Sequence, residues 1–125
     1  MAERGSDAGA GMDGCEISST VRDGGRALTI VGDVDLGAAE KLEAGISGAV
    51  EGMDPGSELL LDLAGVGFLD SAGLRALLNG ADAVRAAEVR LAFVLSPAVE
   101  RVLEMTRLGP DVFGIDAPDW PSASA

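Results

Sequence analysis

Histidine is absent from this 125-residue chain. That removes the usual general base near neutral pH, every Ser-His-Asp or Cys-His arrangement and most zinc sites. It also excludes a phosphohistidine relay within the chain. Cysteine occurs once, at Cys15, so no internal disulfide can form. Cys15 opens an apolar-alternating segment and reads as an incidental half-buried residue, not a nucleophile. Lysine also occurs once, at Lys41. No apolar run approaches the ~20 residues of a membrane-spanning helix. The first residues, Met1 to Asp7, carry acids and lack an apolar centre, so they do not read as a secretory signal. The expectation is a cytoplasmic protein with no membrane association and no cofactor.

Hydrophobic residues make up 47% of the chain, enough for one core at this length. The 9 basic and 21 acidic residues leave a net charge of −12. Such a chain repels nucleic-acid phosphates and anionic membranes, and it suits a basic protein partner. Plain solubility explains the same charge equally well.

The chain turns on the stretch from Glu58 to Leu74. Leu59 to Leu63 is too short and too apolar for a surface helix, and reads as a strand buried on both faces. Gly65 and Gly67 break the regularity after it. Asp70-Ser71 follows, and then Leu74, Leu77, Leu78 and Ala81 recur at helical spacing. Asp and Ser are favoured helix N-caps, because their side-chain oxygens accept first-turn N–H groups. A hydroxyl and a carboxylate therefore stand where a strand gives way to a helix, the end at which α/β folds place function.

Residues 1–14 show no period and read as a flexible arm. Glu16 to Val21 reads as an edge strand, Asp23-Gly24-Gly25 as a hairpin turn and Arg26 to Val31 as the antiparallel return. After Gly32-Asp33-Val34-Asp35, a stripe of Ala38, Ala39, Leu42, Ile46, Ala49 and Val50 predicts a helix with Asp35 as its N-cap. Pro55 ends that segment. Asp62 reads as strand-terminal. The helix from Ser71 runs to about Ala87, and Val89 to Val94 reads as a strand. Ser96-Pro97 opens a third helix, with Val99, Val102, Leu103 and Thr106 facing inward. Val112 to Ile115 is read as a short last strand and 116–125 as a flexible tail. The order is α/β, with parallel strand-helix-strand crossovers that place both central helices on one face.

Leu61-Asp62-Leu63 with Asp70-Ser71-Ala72-Gly73-Leu74 resembles the STAS domain, in particular the anti-sigma factor antagonists. The turn Gly32-Asp33-Val34-Asp35-Leu36 is similar to that family's Gly-Glu-(Leu/Ile)-Asp turn. The resemblance continues through Leu91–Val94 and Val99–Leu108 and spans residues 15–115. It implies a mixed sheet of about four to five strands with helices mainly on one face. It also implies binding, when unphosphorylated, to an anti-sigma factor of the GHKL-like serine-kinase type, which frees a sigma factor. That kinase would phosphorylate Ser71, and a PP2C-type phosphatase would reverse the modification. Asp33, Asp35, Asp70, Ser71, Ala72 and Leu74 would form the partner-binding surface. Ala72 stands where some members carry a second hydroxyl.

The residues themselves agree on one point. A serine with no activating base is a poor nucleophile, yet a helix N-terminus stabilises an added anion. Ser71 is thus better suited to be modified than to catalyse. The alternative reading of Ser71 is an ordinary N-cap that is never modified. At the level of the whole protein, the alternative is a constitutive STAS accessory subunit of a lipid-transport ABC system, with no covalent switch. A small magnesium enzyme using Asp33, Asp35 and Asp70 is a third reading, for which the sequence supplies no substrate pocket. Leu74, Leu77 and Leu78 also read as core.

Overall fold

A computed structural model describes residues 14–116 together with Trp120 and Pro121. Strand β1 (Cys15–Arg22) turns at Asp23-Gly24 into β2 (Gly25–Val34). Helix α1 (Leu36–Glu51), strand β3 (Glu58–Leu69), helix α2 (Ser71–Ala86), strand β4 (Arg90–Val94) and helix α3 (Pro97–Thr106) follow. A 3-10 helix at Pro110–Phe113 closes the order. It replaces the expected last strand, because Pro110 sets a helical φ at the first position and Gly114 caps it in the left-handed region.

The sheet order is β1-β2-β3-β4. β1 and β2 are antiparallel, from Cys15 opposite Gly32 to Arg22 opposite Gly25. β2 with β3 and β3 with β4 are parallel. This is the expected α/β fold with four strands.

β3 is longer than its sequence suggests. It does not stop at Leu63 but continues through Gly65 and Gly67 to Leu69. Two register shifts against β2, between Thr29 and Val31 and between Gly32 and Asp33, absorb its extra residues. Such bulges bend a strand without ending it. Asp62 therefore lies inside the strand, where its Oδ1 accepts from the Ala64 N–H at 3.0 Å. β4 pairs only with Glu58 to Asp62, and α3 packs against β3, burying Val99 and Leu103.

One face of the sheet carries the core. Leu28, Ile30, Leu59, Leu61, Leu63, Leu91 and Phe93 are buried against Leu42 and Ile46 of α1 and Leu77, Ala81 and Val84 of α2. Full burial of each of the larger of these side chains contributes roughly 1.5–3 kcal/mol. That fixes the register, since a one-residue slip would expose the whole row. On the other face Ala27, Thr29, Leu60, Asp62 and Ala92 are only half-buried. β3 is thus buried fully on one face, not on both.

Local chemistry sets the helix starts. Ser96 caps α3, its hydroxyl accepting from Val99 N–H at 3.2 Å. Thr106 is exposed and lies off the inner stripe, its hydroxyl donating back to the Val102 carbonyl at 2.8 Å. Cys15 is fully buried, deeper than its sequence position suggests. The Lys41 ammonium donates to the Cys15 carbonyl at 2.7 Å and ties α1 to β1. Most of the arm 1–14 and of the tail 116–125 lies outside the described residues. Trp120, within that tail, sets its ring 5.8 Å from Phe93 and 5.7 Å from Phe113.

Candidate functional site

Two parallel strands end side by side. Val34 closes β2 and Leu69 closes β3, paired in register. The Asp70 N–H donates to the Val34 carbonyl at 3.3 Å across the ends. Each strand is followed by an aspartate in extended backbone, Asp35 at φ −105° and Asp70 at φ −101°. Asp35 Oδ1 accepts from Ala38 N–H at 3.2 Å and Asp70 Oδ1 from Gly73 N–H at 2.9 Å. Two helices of 16 residues each therefore start as neighbours, with their positive ends at one edge of the sheet.

This settles which residue caps α2. Asp70 is the N-cap, and Ser71 is the first helical residue. Ser71 is therefore not an ordinary cap. It is exposed, and no hydrogen bond to another residue engages its hydroxyl. The oxygen can be reached from solvent.

Glycine lets the two ends meet. A Cβ built on Gly73 would lie 2.4 Å from the Val34 carbonyl oxygen. No side chain fits there, so α2 can start this close to β2 only with glycine. The expected turn at Gly32-Asp33-Val34 is strand instead: β2 continues to Val34, and Gly32, at φ +110°, sits at a register shift within it, its missing Cβ leaving room for the Gly14 carbonyl.

A groove of about 470 Å³ runs between the helices from this edge. Leu36, Glu40 and Glu43 line it from α1, and Ser71, Ala72 and Arg75 line it from α2. Leu36 is 77% exposed at the mouth of the groove. Farther down, the Asn79 amide donates to the Glu43 carboxylate at 3.0 Å. The expected site residues divide here. Asp35, Asp70, Ser71 and Ala72 come together. Asp33 is exposed one residue before buried Val34, so it points away from the core, paired in register with exposed Phe68. Leu74 is only 8% exposed and belongs to the core. The helical period that makes it a core residue leaves only its edge at the surface.

Leu36, Glu40, Glu43 and Arg75 were not expected as site residues. Only Arg75 carried a sequence signal, four residues beyond Ser71 on one helix face. The others come from a second helix whose placement depends on the sheet. Among the described residues, no group of three or more His, Cys, Asp or Glu could share a metal ion. None of their helices is long and apolar enough to cross a membrane.

The sequence model of the STAS domain matches residues 16–117. The chain belongs to the STAS domain family. An anti-sigma factor antagonist from Mycobacterium paratuberculosis has a similar structure, with a TM-score of 0.68 and 27% identity over 90% of each chain. The anti-sigma factor antagonist SpoIIAA in its unphosphorylated form aligns with a TM-score of 0.59 and 24% identity, over 77% of this chain and 83% of that one. The Bacillus cell fate determinant SpoIIAA in its phosphorylated form aligns with a TM-score of 0.56 and 23% identity, over 77% of this chain and 86% of that one. At these identities the two SpoIIAA structures speak to the shared STAS fold. Among curated proteins, no sequence matches significantly.

Proposed function

We propose that this STAS domain is an anti-sigma factor antagonist controlled at Ser71. Unphosphorylated, it binds a GHKL-like serine-kinase anti-sigma factor and so frees a sigma factor in the cytoplasm. The kinase ends the contact by phosphorylating Ser71, and a PP2C-type phosphatase restores it. One observation carries this reading: Ser71 is exposed with an uncommitted hydroxyl, because Asp70 already caps the helix. Similarity to the mycobacterial antagonist across 90% of both chains supports it.

The chemistry is a transfer onto the chain. The Ser71 oxygen attacks the γ-phosphorus of ATP, the bond to the β-phosphate oxygen breaks and ADP leaves. A base on the kinase takes the hydroxyl proton, since this chain has no histidine to do so. The added group brings about −1.5 to −2 charge and three acceptor oxygens to the mouth of the groove. Charge and bulk there oppose a partner that fits the unmodified surface. The N-terminal N–H groups favour the anion by only about 0.3–1 kcal/mol, so the fold itself need not change.

Incubation with candidate kinases and ATP, followed by peptide mass mapping, tests the reading. The expected product is a single phosphate on Ser71. Stable complex formation with an ABC ATPase, and no phosphate on Ser71 with any kinase, would replace it with the constitutive-subunit reading.

A further inference from the structure

We propose that Arg75 is the counter-ion that holds the phosphoryl group of phosphorylated Ser71 along the α2 face of the groove. This rests on the reading of Ser71 as the phosphoacceptor.

Arg75 is exposed and lines the same groove as Ser71. It follows Ser71 by four residues, so the two side chains share one face of α2 a single turn apart. Helical side chains lean toward the N-terminus, which aims the long Arg75 stem back at residue 71. An anion at i with a cation at i+4 is also the favourable order along a helix.

The guanidinium is available. Among the described residues, no ion pair or hydrogen bond engages the Arg75 side chain. The neighbouring polar pair in the seam is already closed, by Asn79 on Glu43. Arg75 is also the one cation among the described residues lining the groove. The other charged groups around the position are acidic: Asp70 on its own helix cap, and Asp35, Glu40 and Glu43 from α1. A dianion among four carboxylates is disfavoured unless something offsets them. A planar guanidinium takes two phosphate oxygens at once, which suits it to that task.

The test installs phosphoserine at position 71 during translation, so no kinase is needed. The second ionisation of the phosphate, near pH 6 when unperturbed, is then followed by 31P NMR. Arg75→Gln should raise its midpoint by about 0.15–0.7 pH units, the range of an exposed ion pair. Arg75→Lys should fall between Gln and wild type. Arg85→Gln removes the same charge at the far end of α2 and should leave the midpoint unmoved. Identical titrations for wild type and Arg75→Gln would overturn the proposal. So would an equal shift in Arg85→Gln, which would assign the effect to net charge alone. Kinase labelling of unmodified protein is a separate measurement, so failure there would sink the phosphoacceptor reading while leaving the Arg75 result interpretable.

Discussion

Val34 and Gly73 meet with no space between them: a single added carbon on Gly73 would lie 2.4 Å from the Val34 carbonyl oxygen. The obstructing atom is backbone and cannot rotate away. Gly73→Ala must therefore displace the start of α2 from the end of β2. Overpacking of this kind costs about 1–3 kcal/mol. The variant should unfold at lower denaturant than wild type by that amount, with the loss measured by urea titration. It should also bind its partner less well than Ser71→Ala does, because the two helix starts no longer share an edge. Stability equal to wild type would show that the close approach is not obligatory.

Asp70 and Ser71 have separable roles. Asp70→Ala removes the acceptor for Gly73 N–H and should cost about 1 kcal/mol. Asp70→Asn keeps an acceptor oxygen and should recover most of that. Ser71→Ala removes no intramolecular bond and should stay within about 0.5 kcal/mol of wild type. Thermal denaturation of the three variants checks the division. A destabilisation in Ser71→Ala matching that of Asp70→Ala would mean that the hydroxyl, not the carboxylate, caps the helix.

Much of this arrangement is legible before any coordinates. Asp35 and Ser96 could be placed as caps because capping depends on one side chain and the next three residues. The buried row Ala38, Leu42 and Ile46 follows from period alone, whereas Leu59 to Leu63 reads only as an apolar run, and which of its faces is covered depends on the helices packed on the sheet. The continuation of β3 through Gly65 and Gly67 could not be read, because glycine is compatible with both a break and a bulge. Only pairing with β2 decides between them. The division of labour between Asp70 and Ser71 was also hidden, since both are good caps and sequence cannot say which adopts the extended backbone. Leu74 carried two readings at once, core and surface, and its helical phase decided for core. The groove joins α1 to α2, so no local pattern could have named Leu36, Glu40 or Glu43.

If Ser71 is the regulated residue, Ser71→Ala and Ser71→Glu should part company. Ser71→Ala should bind the cognate kinase and take up no phosphate. Ser71→Glu places a carboxylate at the groove mouth and should bind at least about tenfold more weakly, a loss of roughly 1.4 kcal/mol. The effect should fall short of full phosphorylation, since a carboxylate carries less charge and fewer acceptors. Isothermal titration against the kinase measures both. Undiminished phosphate uptake by Ser71→Ala would move the site elsewhere.

The single tryptophan offers a handle on the C-terminal segment. Trp120 stacks on Phe113 and meets Phe93 edge-on, and Phe93 and Phe113 are themselves buried. Aromatic pairs of this geometry contribute about 0.5–1.5 kcal/mol each beyond area burial. Trp120→Ala should thus lower stability by about 1–3 kcal/mol. In the wild type, tryptophan emission should shift to the red in the same transition as the loss of helical signal. Emission at the fully solvated wavelength in the native protein would mean that the segment stays undocked in solution.

Leu36 is an exposed apolar side chain beside Ser71. It follows the Asp35 cap directly, is 77% exposed and stands across the groove from Ser71. Replacing it by alanine removes almost no buried surface, so stability should hold within about 0.5 kcal/mol. A leucine buried by a partner contributes roughly 1.5–3 kcal/mol, so Leu36→Ala should weaken partner binding by about tenfold or more. Leu36→Asp should weaken it at least as much, because it replaces the apolar contact with a carboxylate that the partner must desolvate. Phosphate transfer to Ser71 should fall in proportion, through a higher Michaelis constant rather than a lower turnover, since Leu36 does not touch the reacting oxygen. Unchanged affinity in both variants would place the partner on another side of Ser71. The exposed Phe68 and Asp33 at the strand ends would then be the next surface to test.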